Sequence, residues 1–175
     1  NADFITPLSE NDIFSNNNEV DLTQSDLRGI NLHGEYLEGF DFSNKNLSGA
    51  DLSGAKISNA NFSNSIMIGI NFEKTILDNS NFSNSDLTGA QMRYVSMYNA
   101  TLIGTNLDHA YISNANLSFV KLSNTDLFNV NLHNVNLTSA DLSNSDLTRA
   151  YLYGSNFHNA KLINSIFYQS ELAYA

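Results

Sequence analysis

Cysteine and tryptophan are absent from this chain of 175 residues, and proline occurs only once. Without cysteine the chain has no disulfide framework, no thiolate metal site and no thiol nucleophile. No apolar run approaches the roughly 18 residues that a membrane-spanning helix requires. These absences exclude several classes of enzyme and of membrane protein before any motif is considered.

Basic residues are also scarce: eight lysines and arginines stand against 18 acidic residues, for a net charge of −10. This balance argues against a nucleic-acid-binding protein. The charge is uneven, because residues 1–51 hold ten acids against Arg28 and Lys45, whereas the remaining residues hold eight acids against six bases. The acidic character therefore belongs to the N-terminal third.

A large apolar residue occupies every fifth position from Leu22 to Leu172, in 31 consecutive units without a shift of phase. We call this residue the centre of its unit. A small residue usually lies two positions before the centre, and Asp or Asn often lies one position before it. Gly or Asn usually lies two positions after it, and all nine glycines occupy that place. Such self-similarity at a fixed period is typical of a solenoid.

Gly and Asn share a tolerance of positive φ, which a type II turn requires at its third residue. Each unit is therefore predicted to contain one tight turn. Four turns would close a coil of 20 residues, so that residues 20 apart become neighbours along the axis. Phe42, Phe62 and Phe82 would then stack in one column, and the three methionines, all centres, would fill the core.

Both ends of the chain depart from this simple picture. Residues 1–19 do not fit the repeat and are predicted to form an N-terminal cap, with residues 1–2 resembling a cloning remnant. The repeat domain is predicted to span residues 20–175. Because the last unit ends in register without a closing cap, we expect the natural protein to continue or this end to meet a partner.

Several units resemble the pentapeptide-repeat family, whose consensus is A(D/N)LXX. The best matches are Ala50-Asp51-Leu52-Ser53-Gly54, Ala60-Asn61-Phe62-Ser63-Asn64 and Ala115-Asn116-Leu117-Ser118-Phe119. The resemblance implies an all-β fold, a right-handed quadrilateral parallel β-helix, which 31 units would wind into just under eight coils. The family includes DNA mimics that bind type II topoisomerases and protect against quinolones, and repeat domains of type III secreted bacterial effectors.

Candidate chemistry is sparse. The four histidines, His33, His109, His133 and His158, fall at or near turns and show no metal-ligand or catalytic spacing. Asp86, Asp126 and Asp146 share one column with Asn106. This column is either an acidic face or metal site, or a polar ladder that hydrogen-bonds the turns, and we favour the ladder. We expect no cofactor, no metal and no catalytic residue.

Outward-facing aromatic residues concentrate in the C-terminal half. They form either a protein-binding surface or packing against neighbouring coils. The candidate protein-binding residues are Tyr98, Tyr111, Phe119, Phe128, Tyr151, Tyr153 and Tyr168.

The sequence thus favours a non-catalytic scaffold that binds protein partners, host proteins among the candidates, as part of a larger secreted bacterial effector. The alternative is a DNA mimic that binds gyrase. Location follows the choice: secretion into a host cell, or the bacterial cytoplasm. The oligomeric state stays open.

Overall fold

The computed structural model describes residues 24–175. Residues 1–23 lie outside the described part, and with them the predicted cap and the first centre, Leu22. Within residues 24–175 there is no helix and no extended strand, and the regular element is the isolated parallel bridge. Bridges recur every five residues, from Asp26↔Asn46 to Tyr151↔Glu171, and each joins residues 20 apart. The chain is therefore a solenoid with the predicted register.

Every residue two positions after a centre, from Gly29 to Tyr174, has positive φ. Nine are glycines with φ between 65° and 73°, and the others, mostly asparagines, lie between 52° and 62°. The turn is closed by the N–H three residues after the centre, as where Ala90 N donates to Leu87 O at 2.9 Å. The predicted turn is confirmed, and it also forms where Tyr94 or Phe119 replaces Gly or Asn.

The centres point inward and form one continuous core. All of them from Leu27 to Leu152 are buried, including the three methionines. Phe42, Phe62 and Phe82 stack face to face, with 4.8 Å between the centroids of successive rings. Phe72 meets the edges of Phe62 and Phe82. The predicted phenylalanine column is therefore confirmed.

The small residues complete this interior. Alanine and valine fill the space between large centres, and buried serine and threonine hydroxyls donate to backbone carbonyls 23 residues earlier. Thr105 Oγ1, for example, lies 2.8 Å from Phe82 O. A buried hydroxyl costs free energy unless it is hydrogen-bonded, so these bonds make polar residues compatible with the core.

The last 20 residues have no coil on their C-terminal side. Leu162 and Leu172 are exposed there, and Phe157 and Phe167 are half-buried. The same centre position is fully buried in the coils below, so burial of a centre depends on a neighbouring coil on each side.

Candidate functional site

The backbone bonds of one unit show what the Asp or Asn before each centre does. In residues 86–90, four of the five N–H groups bind backbone carbonyls, three of them in adjacent coils and one within the turn. The fifth, Thr88 N–H, donates to Asp86 Oδ1 at 3.0 Å. Every N–H of the unit is thus satisfied, as a structure with little solvent-free space requires.

The same clamp explains the column of Asp86, Asn106, Asp126 and Asp146. Each side-chain oxygen accepts the N–H two residues later at 2.9–3.0 Å. Asn106 Nδ2 also donates to Thr88 Oγ1 in the coil below. The polar-ladder interpretation therefore describes this column, and within residues 24–175 no cluster of His, Asp and Glu has the geometry of a metal site.

These clamps also act on the charge of the carboxylates. Hydrogen bonds from the Ser43 backbone and hydroxyl lower the pKa of Asp41 below its usual value, and bonds from Ser143 lower that of Asp141. The Arg28 guanidinium, 2.7 Å from Asp26, lowers the pKa of that carboxyl. The charged form of each carboxylate is favoured because the donors bind it more strongly.

The histidines lie at the surface, as predicted. His33, His109 and His158 are exposed, and His133 is half-buried. His33 Nδ1 lies 2.8 Å from Ser53 Oγ, while His109 Nε2 lies 3.6 Å from Asp108 Oδ1. No helix of residues 24–175 is long and apolar enough to cross a membrane.

Six of the seven candidate protein-binding aromatics are exposed on the solenoid surface: Tyr98, Tyr111, Phe119, Tyr151, Tyr153 and Tyr168. Phe128 differs, because it is half-buried and the Arg149 guanidinium carbon lies 5.9 Å from its ring centroid. The expectation that Phe128 faces solvent freely is therefore wrong, since an arginine 21 residues later covers it.

Some of these rings meet across coils. Tyr98 contacts the edge of Phe119 with 5.4 Å between centroids. His133 stacks on Tyr153 at 5.1 Å, and Tyr153 in turn meets the edge of Tyr174 at 5.3 Å. The aromatic surface thus contains two contacting groups. Both interpretations, mutual packing and exposure for a partner, apply to the same rings.

A third group was not anticipated as a unit. His109, Ala110, Tyr111, Asn129, Asn131 and Tyr151 line one surface cavity of about 200 Å³. Tyr111, Asn131 and Tyr151 follow one another at intervals of 20 residues, so their juxtaposition was available in the sequence once the coil length was known. His109 and Asn129 join them from the adjacent turns. We call this cavity the tyrosine slot.

Known proteins place the chain among relatives. The family model for pentapeptide repeats matches eight copies, over residues 36–67, 65–102, 94–129 and 131–169. No curated protein sequence matches the chain.

Solved structures with a similar fold include a trypsin-treated form of QnrB1, a plasmid-mediated fluoroquinolone resistance protein. It is 25% identical, with a TM-score of 0.70 over 85% of this chain and 80% of that one. HetL, a pentapeptide repeat protein involved in heterocyst differentiation regulation in Nostoc, is 20% identical over 85% of this chain and 90% of its own, with a TM-score of 0.38. Rfr23 from Cyanothece is 23% identical, with a TM-score of 0.30 over 83% of this chain and 90% of that one.

The family model covers most of residues 36–169, and the five-residue turn, the inward centre and the 20-residue bridge register are all present in the structure. The chain belongs to the pentapeptide-repeat family.

Proposed function

We propose that this chain is a non-catalytic scaffold that binds protein partners through exposed aromatic side chains in its C-terminal half. In full, the proposed architecture is a right-handed quadrilateral parallel β-helix of just under eight coils. The observation that carries the function is the exposure of six aromatic candidates on a body whose apolar centres are otherwise buried. Exposed aromatic rings are enriched at the energetic centres of protein interfaces.

The polar chemistry of the surface supports the absence of catalysis in this proposal. The carboxylate and amide oxygens that precede the centres are engaged with backbone N–H groups. A carboxylate held in this way serves the turn, and its lowered pKa keeps it ionised rather than suited to proton transfer at neutral pH. Membership of a repeat family does not by itself assign an activity.

Site-specific photo-crosslinking in the full-length protein tests the proposal. A photoreactive phenylalanine analogue replaces Tyr98 or Tyr168, and matched controls carry it at Ser43 or Ser83, which occupy the same position after their centres in the N-terminal half. We expect discrete heterologous adducts from the first two positions and none from the controls. Adducts from the controls alone would move the interface to the N-terminal coils.

A double substitution, Phe128→Ser with Tyr168→Ser, tests the energy of the same surface against the partner so identified. We expect binding to weaken at least about tenfold, since interface anchors contribute 2 kcal/mol or more. The melting midpoint should change little at Tyr168, which is exposed. Collapse of the fold would instead assign these rings to packing.

A second candidate function, binding of a type II topoisomerase with protection against quinolones, is favoured by the similarity to the QnrB1 fold. A DNA mimic needs negative charge spread along its length, whereas residues 52–175 carry eight acids and six bases. We therefore expect no inhibition of gyrase supercoiling, and no rescue from a quinolone, at micromolar protein. Either effect would reverse the order of the two proposals.

The wider role as a domain of a secreted effector, together with its location, remains a prediction from family resemblance. A translocation reporter fused to the full-length protein tests it, with delivery into host cells as the expected result. Retention of the reporter in the bacterium would contradict it.

A further inference from the structure

The tyrosine slot is a gap between two rings on one face of the solenoid. Tyr111 and Tyr151 are 50% and 47% exposed, and both line the cavity. Each is bridged to Asn131, which lies between them in the same column. Successive coils are one strand spacing apart, so the two tyrosines are separated by about 9.6 Å along the axis. The shorter asparagine leaves the space between the rings open.

The floor of the slot carries a hydrogen-bond donor. Asn131 Oδ1 accepts His133 N–H at 3.1 Å, which is the usual clamp. Elsewhere the amide nitrogen of such an asparagine donates to its neighbour in the coil below, as where Asn61 Nδ2 lies 3.1 Å from Asp41 Oδ1 and Asn71 Nδ2 lies 3.0 Å from Asp51 Oδ1. Tyr111 replaces that neighbour below Asn131, and Nδ2 of Asn131 has no hydrogen-bond partner within residues 24–175.

We propose that the tyrosine slot binds a proline-rich segment of a partner protein in the polyproline II conformation, an inference that rests on the proposed function. Aromatic-lined grooves recognise such segments because proline rings pack against aromatic faces and the extended helix is preformed. Its backbone makes no internal hydrogen bonds, so its carbonyls accept donors from the groove. Asn131 Nδ2 supplies one, and the tyrosine hydroxyls supply others.

The spacing of the slot fits this ligand. A polyproline II helix has three residues per turn and a rise of 3.1 Å, so the same face returns after roughly 9.3 Å. Two coils of the solenoid advance about 9.6 Å, as argued above. A segment lying along the axis with prolines three residues apart would therefore present equivalent rings to Tyr111 and Tyr151. The side chain between the prolines lies over Asn131.

Charge at one end of the column selects the flank of the ligand. The next residue in the column, Glu171, is bridged to Tyr151 and exposed, whereas Gln91 at the other end is neutral. No residue that lines the slot carries a full charge at neutral pH, apart from a protonated fraction of His109. The preferred ligand therefore has lysine or arginine beyond its proline on the Glu171 side. The chain itself has a single proline, so the segment comes from a partner.

Fluorescence anisotropy with the whole chain tests this inference. The probe is a fluorescein-labelled peptide with two prolines three residues apart, followed by arginine. The control peptide has the same composition in an order that breaks the spacing. We expect saturable binding of the first peptide and at least about tenfold weaker binding of the second.

Three variants locate the binding. Tyr111→Ser should weaken binding at least about tenfold. Tyr36→Ser should leave it unchanged, because Tyr36 is exposed at the same place in its unit but in another column. Asn131→Asp keeps the oxygen that accepts His133 N–H and removes only the amide donor. It should weaken binding several-fold even though the added negative charge attracts the arginine.

Equal binding of both peptides, equal loss in Tyr36→Ser, or no loss in Tyr111→Ser would overturn the inference. Binding of a neutral oligosaccharide in place of the peptide, tested in parallel, would overturn it too. If the peptide fails to bind while Tyr168 still crosslinks to a partner, only this inference fails. If the crosslinks are absent as well, the proposed function fails with it.

Discussion

The ring of Phe62 lies flat on the ring of Phe82, with 4.8 Å between their centroids and 6° between their planes, although the two residues are 20 apart in sequence. Phe42 covers the opposite face of Phe62 at the same distance. The column therefore couples three successive coils through one side chain. Stacked rings contribute beyond the area that they bury.

Phe62→Ala is expected to destabilise the fold by about 3–5 kcal/mol, because it removes a buried ring and leaves a cavity between two others. Phe62→Leu should cost much less, since leucine is the commonest centre and fits the same space. Urea denaturation with both variants measures the difference. Equal losses would show that ring stacking and volume at this position do not matter.

Gly89→Val is expected to destabilise by roughly 1–2 kcal/mol through strain alone. Gly89 has φ of 66°, and a Cβ built there meets no atom within 4 Å, so no clash contributes. Gly89→Asn is the matched control, because asparagine adopts the same φ in other units, as at Asn84. An unchanged melting midpoint in the valine variant would count against the turn assignment.

Asp86→Ala should cost about 0.5–2 kcal/mol, because Asp86 Oδ1 accepts both the N–H and the hydroxyl of Thr88, at 3.0 and 2.6 Å. Asp86→Asn keeps an oxygen in the same place and should be nearly neutral. Thermal unfolding of the pair at neutral pH measures the clamp. A loss as large in the asparagine variant would mean that charge, rather than the hydrogen bond, stabilises the turn.

Stability should fall in acid through Asp41 and Asp141. Their pKa is lower in the folded chain than the ordinary value of 3.8, so the unfolded chain binds protons first as pH falls. Their contribution is complete above about pH 4–5 and is lost as pH falls through the folded pKa. Urea denaturation between pH 6 and pH 2 should show this decline.

The double variant Asp41→Asn, Asp141→Asn should keep its stability at neutral pH and lose less of it in acid. Asparagine at this place makes the same clamp, as Asn61 does with Ser63 N–H at 3.2 Å. Identical pH profiles for the wild type and the variant would show that these two carboxylates do not contribute to the acid response.

The period of the sequence predicts the turn, the inward centre and the 20-residue register, because each depends on residues within one unit. It predicts less where a contact depends on three-dimensional detail. Arg149 covers Phe128 because its side chain leans from the corner of the next coil, which a column at intervals of 20 does not describe. The contact between Tyr98 and Phe119, 21 residues apart, is of the same kind.

One substitution in the clamp illustrates the same limit. Ser96 occupies the place of the usual Asp or Asn, yet Tyr98 N–H is still bound, because Asp78 Oδ1 reaches up from the coil below at 3.0 Å. The same oxygen accepts the Ser96 hydroxyl at 2.6 Å. Residue identity within the unit does not reveal this replacement. The slot between Tyr111 and Tyr151 was likewise visible only after the columns had been assembled.

The register has a consequence for how such a chain changes in length. Inside, the solenoid is indifferent to a shift of five residues, because every unit places a centre inward; outside, a side chain returns to its own column only after 20. Losing one unit would therefore preserve the core and rotate all later surface residues by one side of the coil. Losing four would shorten the molecule and leave every surviving surface pattern downstream aligned with its former column. Gene duplication or deletion in blocks of 20 codons thus alters reach without rewriting recognition, whereas smaller blocks rewrite recognition without endangering the fold.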